Sequence, residues 1–268
     1  PNSREICFVS SPEKNLAAST NADLYVIQIG DTIAKNISSS NKAWDGHPVY
    51  SPDGRYIAYK IQVTPDYEAD RYRVALYNRS TNQSEILTES FDYTVDNLTW
   101  SNDSRHIYFN ADYKGYSPVY KVDIRTKEVE KVTDDKSIFA YTLPDSDSKM
   151  YVLYREVGKP GEIYSFNTND KVYNQITFFN KEFLEEVDVR SAEQIWVDGA
   201  DGIPVHVFIV KPHDFDPNKK YPVILNVHGG PQSQWMDSFR GDWQVYPGSG
   251  YVVAFPNPHG STGYGSKY

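Results

Sequence analysis

Two glycine-rich stretches carry the residue types from which chemistry could be built. His228-Gly229-Gly230-Pro231 follows directly on a continuous apolar run, Pro222-Val223-Ile224-Leu225-Asn226-Val227. Paired glycines at a strand end leave backbone N–H groups open, with no side chain in the way. Such groups can hold the negative charge that forms on a carbonyl oxygen under nucleophilic attack. Losing one such donor typically costs roughly 3–4 kcal/mol of transition-state stabilisation. The plainer alternative is a tight turn that needs glycine for its backbone angles. Asn257-Pro258-His259-Gly260-Ser261-Thr262-Gly263-Tyr264-Gly265 follows a second apolar run, Tyr251-Val252-Val253-Ala254-Phe255-Pro256. Its glycines do not form Gly-x-Gly-x-x-Gly, and no Gly-Lys-Ser/Thr step is present, so a nucleotide-cradling loop is set aside.

A nucleophile to use those N–H groups is not evident. The Gly-x-Ser-x-Gly elbow, in which a serine sits on a strand-to-helix turn, is absent. Pro247-Gly248-Ser249-Gly250 comes nearest, but Tyr246 stands where the first glycine belongs, and Ser249 precedes a strand instead of following one. None of His47, His106, His206, His213, His228 and His259 reads as a catalytic base, and His206, inside an alternating strand, reads as packed. No His/Cys/Asp cluster has metal-ligand spacing, so neither a metal nor a cofactor is expected. The one cysteine, Cys7, lies in Ile6-Cys7-Phe8-Val9 and reads as a small buried hydrophobe; a single thiol makes no disulfide within the chain.

The elements that would position the glycine stretches come after a repeat. Four copies share a polar turn, a basic residue, an alternating strand, a second strand and a Leu/Val/Ile-Thr/Ser step. The clearest runs Ser51-Pro52-Asp53-Gly54-Arg55, Tyr56-Ile57-Ala58-Tyr59-Lys60, Arg73-Val74-Ala75-Leu76-Tyr77 and Leu87-Thr88. The third begins at Ser101, the fourth at Asp145-Ser146-Asp147-Ser148-Lys149, and the first enters inside its turn at Pro1-Asn2-Ser3-Arg4. The closing Ser38, Thr88, Thr133 and Thr177 recur every 44 to 50 residues, the period of one four-stranded β-propeller blade. Unrelated hairpins in a sandwich would not repeat turn, strand and Thr together. Beyond Thr177 only 183–189 offers a further strand, so the ring is expected to continue upstream of Pro1.

From about Ser191 the pattern changes. Gln194-Ile195-Trp196-Val197 and Val205-His206-Val207-Phe208-Ile209-Val210 read as a hairpin around Asp198-Gly199-Ala200-Asp201-Gly202. The two continuous apolar runs then read as strands covered on both faces, as in an α/β sheet, and 234–245, with Trp235, Met236, Phe239 and Trp243, could form a short helix. The expected fold is mainly β: a partial propeller of about four blades over 1–189, then the first strands of an α/β-hydrolase domain over 190–268.

Composition excludes some partners. Twenty-seven Lys and Arg against 36 Asp and Glu give a net charge of −9, which argues against a nucleic-acid backbone as partner. A mean hydropathy of −0.61 without a long apolar run argues against a membrane span. Asn-x-Ser/Thr triplets at Asn36, Asn78, Asn82, Asn97 and Asn102 lie mainly in turn-like stretches where Asn is common anyway.

The two glycine motifs with their preceding strands, in that order after propeller-like repeats, resemble the prolyl oligopeptidase family of serine peptidases, nearest its dipeptidyl-peptidase V and acylaminoacyl-peptidase branch. His259 departs from the Arg found in many relatives. The resemblance implies a truncated segment of an enzyme that releases dipeptides or acylated residues from the N-terminus of short peptides. Ser, Asp and His of the triad would lie beyond Tyr268, so the segment alone would be inactive. Gly230 N–H would be one oxyanion donor, with Gly229 and His228 shaping the loop. The resemblance also leans to a periplasmic or secreted enzyme and allows a homodimer through the complete hydrolase domain. Among Glu156, Glu162, Glu182, Glu185 and Glu186, any could bind a substrate ammonium, though each reads first as a solvated charge. A propeller binding module without catalysis and an α/β-hydrolase esterase are the competing readings.

Overall fold

The repeated Thr/Ser step closes each sheet where its outermost strand ends. The computed structural model describes residues 3–144, 148–230 and 232–268. Pro1 and Asn2 of the first turn, Asp145–Asp147 of the fourth and Pro231 of the first glycine motif lie outside the described residues. Four antiparallel sheets run in chain order. The first holds β1 (Glu5–Ser10), β2 (Asp23–Gln28) and β3 (Lys35–Asn36). The second holds β4 (Asp45–Tyr50), β5 (Tyr56–Ile61), β6 (Arg73–Asn78) and β7 (Gln83–Ile86). The third holds β8 (Val95–Trp100), β9 (His106–Ala111), β10 (Val119–Asp123) and β11 (Val129–Lys131). The fourth holds β12 (Ser137–Thr142), β13 (Lys149–Glu156), β14 (Lys159–Asn167) and β15 (Tyr173–Gln175).

In three copies the Thr or Ser hydroxyl replaces a ladder carbonyl. Ser38 Oγ accepts from Leu24 N–H at 2.9 Å, Thr88 Oγ1 from Val74 N–H at 2.9 Å and Thr177 Oγ1 from Ile163 N–H at 2.8 Å. The residue before each hydroxyl donates its own N–H back to the same strand residue's carbonyl. A backbone N–H, buried at Leu24 and Val74, is thereby satisfied after the strand has ended. The turns repeat as well. Ser51 Oγ accepts Tyr56 N–H and donates to Asp53, whose Oδ1 accepts Arg55 N–H. Ser101, Asp103, Arg105 and His106 reproduce this geometry, with Ser104 at φ +60° where Gly54 has φ +72°.

Two units divide the chain: the described residues of Pro1–Ala111 and Val119–Val132, and those of Asp112–Pro118, Thr133–Pro144 and Ser148–Tyr268. In the first, Leu24, Ile57, Tyr59 and Ala75 form one core, and Ala58, Val74, Leu76, Ile107, Phe109 and Val122 another. The second unit contains the fourth sheet and a mixed sheet of β16 (Glu193–Val197), β17 (Val205–Val210), β18 (Val223–Leu225) and β19 (Val252–Asn257), ordered β16-β17-β19-β18. β17 pairs antiparallel with β16 and β19, whereas β18 and β19 are parallel. The expected hairpin turn is present, with Asp201 and Gly202 at φ +54° and +74°. With 41% strand and 7% helix, the described residues are mainly β.

Three expectations need correction. Residues 183–189 do not supply a strand: α1 (Lys181–Glu186) is helical, with strong helix formers at every position but Phe183 and a Lys181–Glu185 pair one turn apart at 3.8 Å. The helix placed over 234–245 is confined to α2 (Asp242–Gly248). Upstream, Trp235 and Asp237 give their N–H groups to Asn257 Oδ1 and Gly115 O, which holds that backbone out of a helical ladder. Finally, the apolar runs are not covered on both faces here. β19 buries alternate residues, and β18 is an edge strand with Val223 62% and Leu225 65% exposed. The core beneath is Val157, Phe208, Val210, Trp243, Val253 and Phe255, with Trp243 stacked on Phe255 at 3.6 Å.

Thr88→Val tests the closing hydroxyl directly. It keeps the shape but orphans the buried Val74 N–H, and should cost about 1–3 kcal/mol in denaturant unfolding. Thr88→Ser keeps the acceptor and should lose clearly less. Equal losses in the two variants would contradict the role given to the oxygen.

Candidate functional site

Parallel pairing of β18 and β19 brings their following loops to the same end of the sheet, and those loops are the two glycine stretches. Asn226 N–H still reaches Ala254 O at 2.9 Å, so the ladder persists one residue past β18 before His228 turns away. His228 Nδ1 lies 2.9 Å from Gly229 O, and its Nε2 lies 2.9 Å from Ser261 Oγ in the second loop. A carbonyl only accepts, so Nδ1 carries a proton. His228 thereby ties the two motifs together.

Gly229 and Gly230 are exposed, and neither N–H donates to another described residue. Gly230 has φ +136°, and a Cβ there would stand 2.7 Å from Gln232 N. Glycine is required on both counts. The arrangement leaves free backbone donors at a strand end, beside a histidine anchored on a neighbouring loop.

Downstream of the glycines the chain is fixed by Asn257, which is fully buried. Its Oδ1 accepts Trp235 N–H at 2.6 Å, and its Nδ2 donates to Trp235 O at 3.0 Å and to Tyr264 OH at 2.8 Å. Trp235 Nε1 donates to Asn226 O at 2.9 Å. Thr262 N–H adds a bond to Ser233 O at 2.9 Å.

His206 completes the support. It is buried, as expected for a strand residue, and stacks on Trp196 at 4.8 Å. Because Tyr264 OH accepts from Asn257, its single proton goes to His206 Nδ1 at 2.7 Å; His206 Nε2–H then donates to Gln194 Oε1 at 3.0 Å. The ring is therefore the neutral Nε2-protonated tautomer. Burial, with Lys114 nearby, lowers its pKa from 6.5 to about 4. Burial likewise pushes the Tyr264 phenol well above its usual range, which keeps it a donor.

Other residues singled out in the sequence fall elsewhere. Ser249 caps α2 and donates to Val245 O, which gives it a helix-end role. His259 Nε2 lies 3.2 Å from Ile203 O and its ring meets Tyr268 edge-on. Glu182, Glu185 and Glu186 are exposed on α1, and Glu156 is 3.7 Å from Lys136. Glu162 is not a solvated charge: it is 3% exposed. Burial alone would raise its pKa, but hydrogen bonds from Thr177 and from the Asn180 backbone and side chain outweigh it and hold the carboxyl below its usual range. Asn257 stood inside a quoted motif without a role assigned, and Gln194 and Gln234 gave no signal at all. A lone amide in a sequence does not show which backbone it will pair with.

The fold and loop define the class: propeller blades followed by a mixed sheet whose parallel pair presents two glycine loops. No family model matches the chain. Over 273 residues, all of this chain and 40% of the relative, it is 31% identical to dipeptidyl-peptidase 5 of Porphyromonas gingivalis. It is 28% identical to dipeptidyl-peptidase 5 of Schizosaccharomyces pombe, again over its whole length and 39% of the relative. Among solved structures, acylaminoacyl peptidase of Pyrococcus horikoshii superposes with a TM-score of 0.80 at 22% identity, covering 98% of this chain and 40% of that one. The resemblance to the prolyl oligopeptidase family is borne out, as is the partial propeller followed by the opening strands of an α/β-hydrolase domain. The chain spans about 40% of the length of the curated relatives it matches. Among the described residues no helix is long and apolar enough to cross a membrane.

The buried neutral His206 has a measurable consequence. Between its folded pKa of about 4 and its ordinary 6.5, the unfolded chain binds the extra proton. Stability from this group is therefore complete above pH ~6.5 and lost as pH falls toward ~4, by at most about 3 kcal/mol. In an NMR titration the His206 ring protons should hold one shift down to about pH 5. A midpoint near 6.5 would contradict the neutral bridge between Tyr264 and Gln194.

Proposed function

We propose that this chain is part of a serine peptidase that removes dipeptides or acylated residues from the N-terminus of short peptides. The observation that carries the reading is the exposed Gly229-Gly230 backbone at the end of β18, tied through His228 to the second glycine loop. The names of the relatives agree with it. Gly230 N–H would donate to the carbonyl oxygen as attack makes it an oxyanion, the second donor coming from the residue after the nucleophile. The nucleophilic Ser, with its Asp and His, would be supplied by residues beyond Tyr268. The reading sets the propeller at 1–189, where it would limit access to short peptides, and the hydrolase strands at 190–268. A homodimer through the complete hydrolase domain belongs to the same reading.

Intact mass after a fluorophosphonate probe tests it. The full-length protein should gain one adduct and release dipeptides from an aminoacyl-dipeptide amide, while the 268-residue chain should gain none and hydrolyse nothing. Hydrolysis by the purified 268-residue chain, abolished by the probe, would overturn the assignment of the nucleophile.

A further inference from the structure

The connection between β9 and β10, Asp112–Pro118, belongs to the second unit and not to the sheet it springs from. There it is gripped by one side chain. Gln234, 7% exposed, accepts Gly115 N–H on Oε1 at 2.9 Å and donates from Nε2 to Tyr116 O at 2.8 Å. One amide thus reads both backbone groups of the loop, as Asn257 reads those of Trp235 next in sequence. The main chain adds Asp237 N–H to Gly115 O at 2.8 Å and Lys114 N–H to Gly263 O at 2.9 Å, and the Thr262 hydroxyl donates to Asp112 Oδ2 at 2.5 Å.

The fit leaves no room for side chains at two glycines. A Cβ on Gly115 (φ +81°) would stand 2.5 Å from the Phe208 ring, and one on Gly263 (φ +87°) would stand 2.7 Å from Gln234 Oε1. The loop is therefore packed against the second glycine stretch and against Gln234, just downstream of the first. Gly230 is four residues upstream of Gln234, and its own N–H has no partner among the described residues to hold it. Its placement depends on the anchors at either end: His228 on Ser261 before it, and Gln234 and Trp235 after it.

We propose that Gln234 is a positioning residue for the oxyanion donor, and that the Asp112–Pro118 loop is the template it is set against. This rests on the peptidase reading above. A shift of the donor by about 1 Å can cost about a hundredfold in rate, and the loss falls on the transition state, where the charge forms, so substrate binding should change little.

The test uses the full-length protein and the variants Gln234→Leu and Gln234→Glu. Gln234→Leu should lower kcat about tenfold or more, move KM less than about threefold, and slow fluorophosphonate labelling in proportion to kcat. Gln234→Glu keeps the acceptor for Gly115 N–H and loses the donor to Tyr116 O, so it should fall between; if Gln234→Leu does not fold, this variant reads the same split. Variants that only lose thermal stability, or raise KM with kcat and labelling unchanged, would overturn the positioning role while leaving the peptidase reading intact. A wild type that neither hydrolyses the amide nor takes the adduct would sink the reading itself, and the positioning role with it.

Discussion

The site depends on one buried amide. Asn257, at the end of β19, spends its side chain on the backbone of Trp235 and the hydroxyl of Tyr264. Without it, the chain after the glycines loses its bonds at Trp235, and the buried polar groups it satisfies would each cost about 1–3 kcal/mol to leave unpaired. A fully satisfied network of this kind rigidifies a site, because any displacement breaks several bonds at once. His206, Gln194 and Tyr264 extend it across β16 and β17, and the lowered His206 pKa follows from the same burial.

Topology makes the network possible. β18 and β19 are the only parallel pair between named strands of the described chain, and a parallel pair delivers both following loops to its carboxyl end, where open α/β sheets bind their ligands. The earlier sheets use local devices instead: a Ser-Asp turn that satisfies its own N–H groups in the second and third, and a Thr or Ser hydroxyl that closes the ladder in the first, second and fourth. These devices work within one sheet and recur with the period of the repeat. The support of the glycine loops comes from residues scattered from Asp112 to Tyr264.

That difference explains what could be read from the sequence. The strands of the blades, the hairpin after Glu193 and both glycine loops were legible, because each is coded by neighbouring residues: alternation, turn residues at positive φ, and glycines after an apolar run. Residues 183–189 misled because Phe183, Leu184 and Val187 stand at helical spacing among Glu185, Glu186 and Asp188, and the strand reading weighed only the apolar ones. The helix over 234–245 was misplaced because its first half gives its N–H groups to partners distant in sequence, Asn257 and Gly115. Glu162 looked solvated for the same reason: Thr177 and Asn180, its partners, are brought to it only by the fold.

The central claim is that the Gly230 N–H is held open as an oxyanion donor by this network. A crystal structure of the full-length protein carrying a phosphonate adduct on its nucleophile tests it most directly. The phosphoryl oxygen that mimics the oxyanion should lie about 2.7–3.1 Å from Gly230 N, with Asn257 still bonded to Trp235. An adduct whose oxygen meets other donors and leaves Gly230 N–H unpaired would contradict the account.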